Sequence, residues 1–234
     1  MNKFTSLGWI LCFAFIISLP LQAQTRVEVS TGPTGETSAA TTQYRYLFEN
    51  DRFLTTRVEL MFGADGRGQF RFTRKEGQRE GEEVVNDLKV SPFVLGQVRS
   101  LLNELNFLES EENYQHKKDF SHLGRVTITQ SRDGRTRTAT FNYTDNQTMT
   151  RLVDLFRNLA TQETRVLELA AVRAHDPIST PAQLRLLENE LHAKHLADPQ
   201  SLVPLLQEIK VDESVPLIAR NHAERLLKEI NKGK

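Results

Sequence analysis

Cysteine is almost absent from this 234-residue chain, and the single one, Cys12, lies in an apolar N-terminal segment. With one cysteine the chain forms no internal disulfide, and a form that has lost this segment has no thiol at all. Thiol catalysis and thiolate metal sites are therefore excluded from such a mature form. Its fold has to rest on a hydrophobic core, which a chain of about 210 residues is long enough to form.

A net charge is also missing, because 30 basic residues balance 30 acidic ones. A chain without a large positive field has no long-range attraction to nucleic acid or to an anionic membrane, so neither is an expected partner. Beyond the N-terminal segment no apolar run approaches the roughly 20 residues of a membrane-spanning helix. We therefore expect no stable membrane span after that segment is removed.

Signatures of common enzyme classes are absent as well. The chain has no Gly-x-Ser-x-Gly motif, and the glycines at 63–68 belong to a hairpin turn rather than to a phosphate-binding loop before a helix. We therefore expect no cofactor and favour a protein without catalytic activity. A metal-dependent or acid–base hydrolase stays open as the alternative, because a site assembled from scattered Asp, Glu and His residues leaves no local pattern.

What the sequence does have, at its start, is an export signal. Lys3 supplies a positive charge, residues 7–19 are almost entirely apolar, and Ala23 is the small residue before a cleavage site. The apolar run is short for a membrane anchor, which predicts cleavage and a periplasmic or secreted, bacterial protein. Residues 1–23 are thus a predicted signal peptide, and residues 24–43, rich in Thr, Ser and Gly, a predicted flexible leader.

The region 44–174 combines strand patterns with helix patterns. Apolar and polar residues alternate at 58–62, Asp-Gly turns close two hairpins, and the order strand, strand, helix occurs twice. This order predicts an α+β fold (ββαββα), with an antiparallel sheet of four to five strands and both helices on one face. Within it we expect an edge strand at 44–48, a protruding charged loop at 75–83 and a short strand at 84–90.

Capping residues mark where the helices begin. Ser91, followed by proline, predicts the start of the first helix, and either Asp145 or Asn146 caps the second. Residues 175–234 show only helical patterns, interrupted by two Asp-Pro steps. We therefore predict a helical bundle as a C-terminal region that follows the ββαββα module.

The stretch 58–160 resembles a family of uncharacterised secreted bacterial domains. The likeness rests on an Asp-Gly hairpin, a helix that ends in the step Asn106-Phe107, a second glycine hairpin and a closing helix. The resemblance implies a hairpin–helix–hairpin–helix fold and an exported protein, but no activity.

A second resemblance lies near the C-terminus, where residues 202–230 are similar to one HEAT repeat. The order helix, turn, helix and the spacing of Arg220, Ala223 and Leu227 carry this likeness. One repeat cannot cover its own apolar face, so the resemblance implies a helical hairpin that packs on the preceding helix.

Two groups of residues are candidates for metal ligation. Glu188, His192 and His195 recur at spacings of four and three, which places them on one helical face, and imidazole with carboxylate suits zinc. The zincin motif His-Glu-x-x-His is incomplete, and a solvated helix face is the alternative that we favour, so we predict no metal site here. The second group lies in the loop 116–122, where a polar surface is again the favoured alternative.

The outward face of the predicted sheet is rich in arginine and threonine. Arg57, Arg71, Arg125 and Thr138 alternate with apolar residues, so their side chains point away from the helices. Such a face can contact an anionic glycan or an extended peptide, although a solvated sheet needs polar residues in any case. We predict an exported non-catalytic interaction or binding module of the bacterial cell envelope, with an envelope protein or a glycan as its partner.

Overall fold

The computed structural model describes residues 42–232, which form an α+β fold. The predicted signal peptide and the predicted leader up to residue 41 lie outside the described residues. Six strands form one antiparallel sheet, and five α-helices accompany it. The predicted fold class is therefore confirmed.

The sheet is built around its first strand. Its members are β1 (Gln43–Glu49), β2 (Thr55–Gly63), β3 (Arg67–Glu76), β4 (Arg79–Lys89), β5 (Arg125–Arg132) and β6 (Arg135–Phe141). Their order across the sheet is β4-β3-β2-β1-β5-β6, and every neighbouring pair is antiparallel. The meander β2–β3–β4 thus extends from one side of β1, and the hairpin β5–β6 from the other.

Three details of the sheet differ from the expectation. It has six strands rather than four to five, and β1, expected at an edge, lies between β2 and β5. Side-chain alternation shows which face a residue occupies but not which strand lies beside it. The charged residues 75–83, expected as a loop, form the end of β3, a turn at 77–78 and the start of β4. Strand β4 tolerates this charge because an edge strand exposes its side chains and charges there prevent sheet-to-sheet association.

The helices are α1 (Pro92–Glu104), α2 (Gln147–His175), α3 (Thr180–His192), α4 (Val203–Val211) and α5 (Leu217–Lys232). The Ser91 side chain accepts a hydrogen bond from the Val94 N–H at 3.3 Å, which confirms the predicted cap of α1. At α2 the Asn146 side chain accepts from the Met149 N–H at 2.9 Å, so Asn146 rather than Asp145 is the cap. Within residues 42–232 none of the helices combines the length and the apolar character that a membrane crossing requires.

Two hydrophobic cores share helix α2. In the first, α1 and α2 cover one face of the sheet, and Leu60, Phe62, Val98 and Phe156 are all at most 1 % exposed. The second core joins α3, α4 and α5 to the C-terminal part of α2 through Leu169. Because α2 has 29 residues, it contributes to both cores and links the helical region to the sheet.

Candidate functional site

The sheet face opposite α1 and α2, here called the open face, carries the residues predicted to bind a partner. Three of its rows pair side chains across the strands. These rows are Glu83, Thr73, Arg57, Glu49, Arg125; then Val85, Arg71, Glu59, Leu47, Thr127, Thr140; then Asp87, Gln69, Met61, Arg45, Thr129, Thr138. Arg57, Arg71, Arg125 and Thr138 all lie on this face.

A buried carboxylate lies in the middle of the open face. Glu59 is 6 % exposed, with Oε1 2.5 Å from Arg45 Nε and Oε2 3.0 Å from Arg57 Nη2. Burial by itself raises the pKa of Glu59, but the hydrogen bonds from Arg45 and Arg57 outweigh it and hold the pKa below its usual range. Glu59 is therefore ionised at neutral pH and offsets part of the charge of both arginines.

The other two arginines of these three rows also have carboxylate partners. Arg125 Nη2 lies 2.8 Å from Glu49 Oε2, and Arg71 Nη1 lies 3.7 Å from Glu83 Oε2. The three rows contain as many carboxylates as arginines, since Asp87 adds a fourth acidic side chain. These three rows are thus nearly neutral and attract a polyanion less than their arginine content alone indicates.

A groove of about 770 Å³ opens at one end of the open face, and we call it the polar groove. Most of its lining consists of amide and charged side chains, namely Asn50, Gln115, Asn142, Glu49, Asp51, Arg57, Lys75, Glu80 and Arg125. Two of the four predicted partner-binding residues, Arg57 and Arg125, line this groove. The other two, Arg71 and Thr138, lie elsewhere on the open face.

Hydrogen bonds hold the amide side chains of the polar groove. Gln115 Nε2 donates to Asn142 Oδ1 at 2.9 Å, and Gln115 Oε1 accepts from the Asn142 N–H at 2.9 Å. Asn50 Nδ2 donates to the His122 carbonyl at 3.2 Å. At Gly124, where φ is +87°, a Cβ would lie 2.7 Å from the backbone carbonyl oxygen of residue 49, so only glycine fits. Hydrogen bonds within the chain therefore hold the wall of the groove in place.

The loop 116–122, a candidate metal site in the sequence, supports the groove instead. His116 Nδ1 accepts from the Lys118 N–H at 2.9 Å, and its Nε2 lies 3.3 Å from Asp145 Oδ2. Asp119 accepts from the Asn142 side chain, and the His122 carbonyl accepts from Asn50. In the part of the chain that the structure describes, His116, Asp119 and His122 do not bring their ligand atoms together.

A second cavity, of about 720 Å³, lies on the helix side of the sheet. Aromatic side chains form much of its lining, namely Tyr46, Phe48, Phe53 and Tyr143. Two of its arginines share one carboxylate, with Arg74 2.9 Å and Arg165 2.5 Å from Glu168. Sequence reasoning missed this cavity because its walls come from segments far apart in the chain.

Of the three candidate metal ligands on α3 and just after it, the structure brings two together. Glu188 and His192 are joined by Glu229 of α5, and one ligand atom of each lies within 4.8 Å of the others. His195 lies apart from them, with Nδ1 3.2 Å from Glu190 Oε2. Sequence reasoning missed Glu229 because it lies on a different helix.

His222 of α5 is buried next to this group. Its Nε2 lies 3.2 Å from Glu188 Oε2, yet it makes no hydrogen bond, so the contact has the distance but not the angle of one. Burial lowers the pKa of His222; the Glu188 carboxylate opposes this, while the charges of Arg225 and Arg185 add to it. The imidazole is therefore uncharged at neutral pH.

The amide residues of the polar groove that sequence reasoning missed lie in connections between secondary-structure elements. Asn50 follows β1, Gln115 lies between α1 and β5, and Asn142 follows β6. Their one shared signal is a polar amide in a loop, a place where binding residues are common. No family model matches the chain, and no curated protein sequence is significantly similar to it.

Proposed function

We propose that this chain is an exported, non-catalytic binding module of the bacterial cell envelope and that its polar groove takes a carbohydrate. The lining of that groove, in which amides and paired charges surround about 770 Å³, is the observation that carries the proposal. Export rests on the N-terminal pattern of Lys3, the apolar residues 7–19 and Ala23. The bacterial envelope rests on the resemblance of residues 58–160 to secreted bacterial domains.

The charges of the polar groove favour an uncharged ligand. Its lining contains three cations and three carboxylates, namely Arg57, Lys75, Arg125, Glu49, Asp51 and Glu80. A groove without net charge suits a polyhydroxylated ligand better than a phosphate-rich or acidic one. Sugar hydroxyls both donate and accept hydrogen bonds, and the carboxylate and guanidinium groups of the lining present adjacent polar atoms to them.

Two of the three carboxylates of the groove support binding rather than bond cleavage. Glu49 accepts from Arg125 at 2.8 Å, and Glu80 accepts from the Thr56 hydroxyl at 3.1 Å. Glycoside hydrolysis requires a pair of carboxyl groups across the scissile bond, one of them protonated. Carboxylates already bonded to the protein are better placed to orient hydroxyl groups than to transfer protons.

The variant Arg125→Ala is expected to weaken carbohydrate binding. Loss of one hydrogen bond from a charged donor costs about 1.5–3 kcal/mol, which corresponds to a Kd roughly 10- to 100-fold higher. Isothermal titration calorimetry with soluble peptidoglycan fragments and with β-1,4-linked N-acetylglucosamine oligomers measures this change. Circular dichroism of the variant confirms that it folds.

Thr138→Ala is the matched control, because Thr138 lies on the open face outside the polar groove and its hydroxyl is 3.0 Å from that of Thr129. Its Kd should equal that of the unaltered chain. The proposal is overturned if the unaltered chain binds none of these carbohydrates at millimolar concentration, or if both variants lose affinity equally. An envelope protein captured by crosslinking together with a negative carbohydrate titration would make a protein the partner.

Export makes a separate prediction. Expressed in a Gram-negative host, the chain is expected in the periplasmic fraction with Gln24 as its first residue, as mass spectrometry of the intact chain would show. Phe15→Arg, which places a charge inside the apolar run 7–19, is expected to keep the chain in the cytoplasm with the N-terminal segment uncleaved. Unaltered chain found in the cytoplasm and still beginning at Met1 would contradict the export signal.

A further inference from the structure

The packing of α3 on α5 brings a mixed cluster of carboxylates and imidazoles together, away from the polar groove. Glu188 and His192 are four residues apart on α3 and so share a face. His192 Nε2 lies 2.8 Å from Glu229 Oε1 on α5. One ligand atom from each of the three lies within 4.8 Å of the others. Side-chain rotation can bring such atoms to the spacing of roughly 3.3 Å that ligands around one zinc ion show.

A buried histidine beside this cluster provides an independent observation. His222 is 4 % exposed, and its Nε2 has no hydrogen-bond partner, although Glu188 Oε2 is 3.2 Å away. Buried polar atoms are nearly always hydrogen-bonded, so an unpaired one needs a reason. A small rotation of the Glu188 carboxylate toward a cation would let its second oxygen accept from His222, as outer partners do for metal-bound carboxylates.

We propose that Glu188, His192 and Glu229 form a zinc site and that His222 is the positioning residue for Glu188. The proposal is independent of the carbohydrate groove. One imidazole with two carboxylates is a donor set that zinc accepts at about 2.0–2.2 Å. Magnesium and calcium prefer oxygen ligands only, so His192 favours zinc over both. Three protein ligands leave the fourth zinc position to water or to an outside ligand.

The surroundings of the cluster give that fourth position access to solvent. His192 and Glu229 also line a cavity of about 720 Å³ together with Phe93, Lys194 and Asp198. Lys194 lies past the end of α3 with φ at +60°, and its carbonyl accepts from Asn158 Nδ2 at 3.3 Å.

Zinc bound by Glu188, His192 and Glu229 joins α3 to α5 across the second core and therefore stabilises the helical region.

Titration of the full chain with zinc tests the proposal. The chain is produced without a polyhistidine tag, stripped of metal with a chelator and titrated with zinc chloride by calorimetry. We expect one zinc ion per chain and a higher melting temperature with zinc, but no such change with magnesium. His192→Ala and Glu229→Ala should each raise the Kd by about tenfold or more.

His195→Ala is the matched control, because His195 is as exposed as His192 but lies next to Glu190. It should bind zinc like the unaltered chain. The proposal is overturned if the unaltered chain takes up no stoichiometric zinc, or if His192→Ala and Glu229→Ala bind as well as His195→Ala. The second result would mean adventitious binding at other surface groups.

Cobalt(II) tests the role of His222, because its visible spectrum reports the geometry of its ligands. His222→Asn is expected to keep one bound cobalt ion while the spectrum shifts and the affinity falls about tenfold. A purely structural role would change the melting temperature of the metal-free chain and leave the cobalt spectrum unaltered. An unaltered spectrum with an unaltered Kd would remove His222 from the site.

Discussion

Replacement of Phe156 by alanine is expected to lower the free energy of unfolding by about 3–5 kcal/mol. Phe156 is 0 % exposed, and its ring stacks on Tyr46 at 5.2 Å and tilts against Phe62 at 6.3 Å. Alanine removes both aromatic contacts and leaves a cavity between α2 and the sheet, which close-packed neighbours fill only in part. Urea unfolding followed by circular dichroism should show a lower midpoint with an unchanged slope.

Phe93→Ala is the matched control for this variant, since Phe93 on α1 is 59 % exposed. Its free energy of unfolding should stay within about 0.5 kcal/mol of the unaltered chain. In thermal unfolding the loss at Phe156 corresponds to a melting temperature lower by roughly 10 °C. If Phe156→Ala and Phe93→Ala lower the free energy of unfolding equally, Phe156 does not lie at the centre of the first core.

The second large effect is a pH dependence of stability that comes from Glu163. Burial on α2 raises the pKa of this carboxyl group from 4.5 to about 7. In the unfolded chain the group returns to its ordinary value. The folded chain therefore holds the proton more tightly than the unfolded chain, and the free energy of unfolding falls as the pH rises.

The pH window follows from the two pKa values. Below pH 4.5 the carboxyl group is protonated in both states and contributes no pH dependence. Between pH 4.5 and about 7 the unfolded chain releases the proton while the folded chain keeps it, which costs about 1.4 kcal/mol per pH unit. Above this range the full cost of about 3 kcal/mol remains.

Glu163→Gln removes the titrating group and keeps its shape. At about pH 8 the variant should be more stable than the unaltered chain by up to about 3 kcal/mol, and the difference should vanish at about pH 4. Urea unfolding at several pH values measures the free energy of unfolding of the unaltered chain and of the variant. Glu213→Gln, at an exposed position, is the control and should follow the unaltered chain. If the free energy of unfolding depends on pH in the same way for the unaltered chain and for both variants, Glu163 has no raised pKa.

Local signals were sufficient to predict most of the elements. Alternation at Val58, Leu60 and Phe62 predicted β2 and its inner face, and Ser91 before proline predicted where α1 begins. Both are confirmed, because alternation and capping depend on residues next to each other in the chain. The place of β1 could not be predicted in this way, since an edge strand and a central strand share the same alternation.

The candidate sites also combine features that local sequence predicts with features that depend on the tertiary structure. The sequence by itself determined that Arg57 and Arg125 share an outward face of the sheet, and that Glu188 shares a helical face with His192. Only the tertiary structure decided that Glu49 lies beside Arg125, and that Glu229 joins Glu188. Strand pairing and helix packing bring together residues that are distant in the chain, and their neighbours depend on how the whole core is filled.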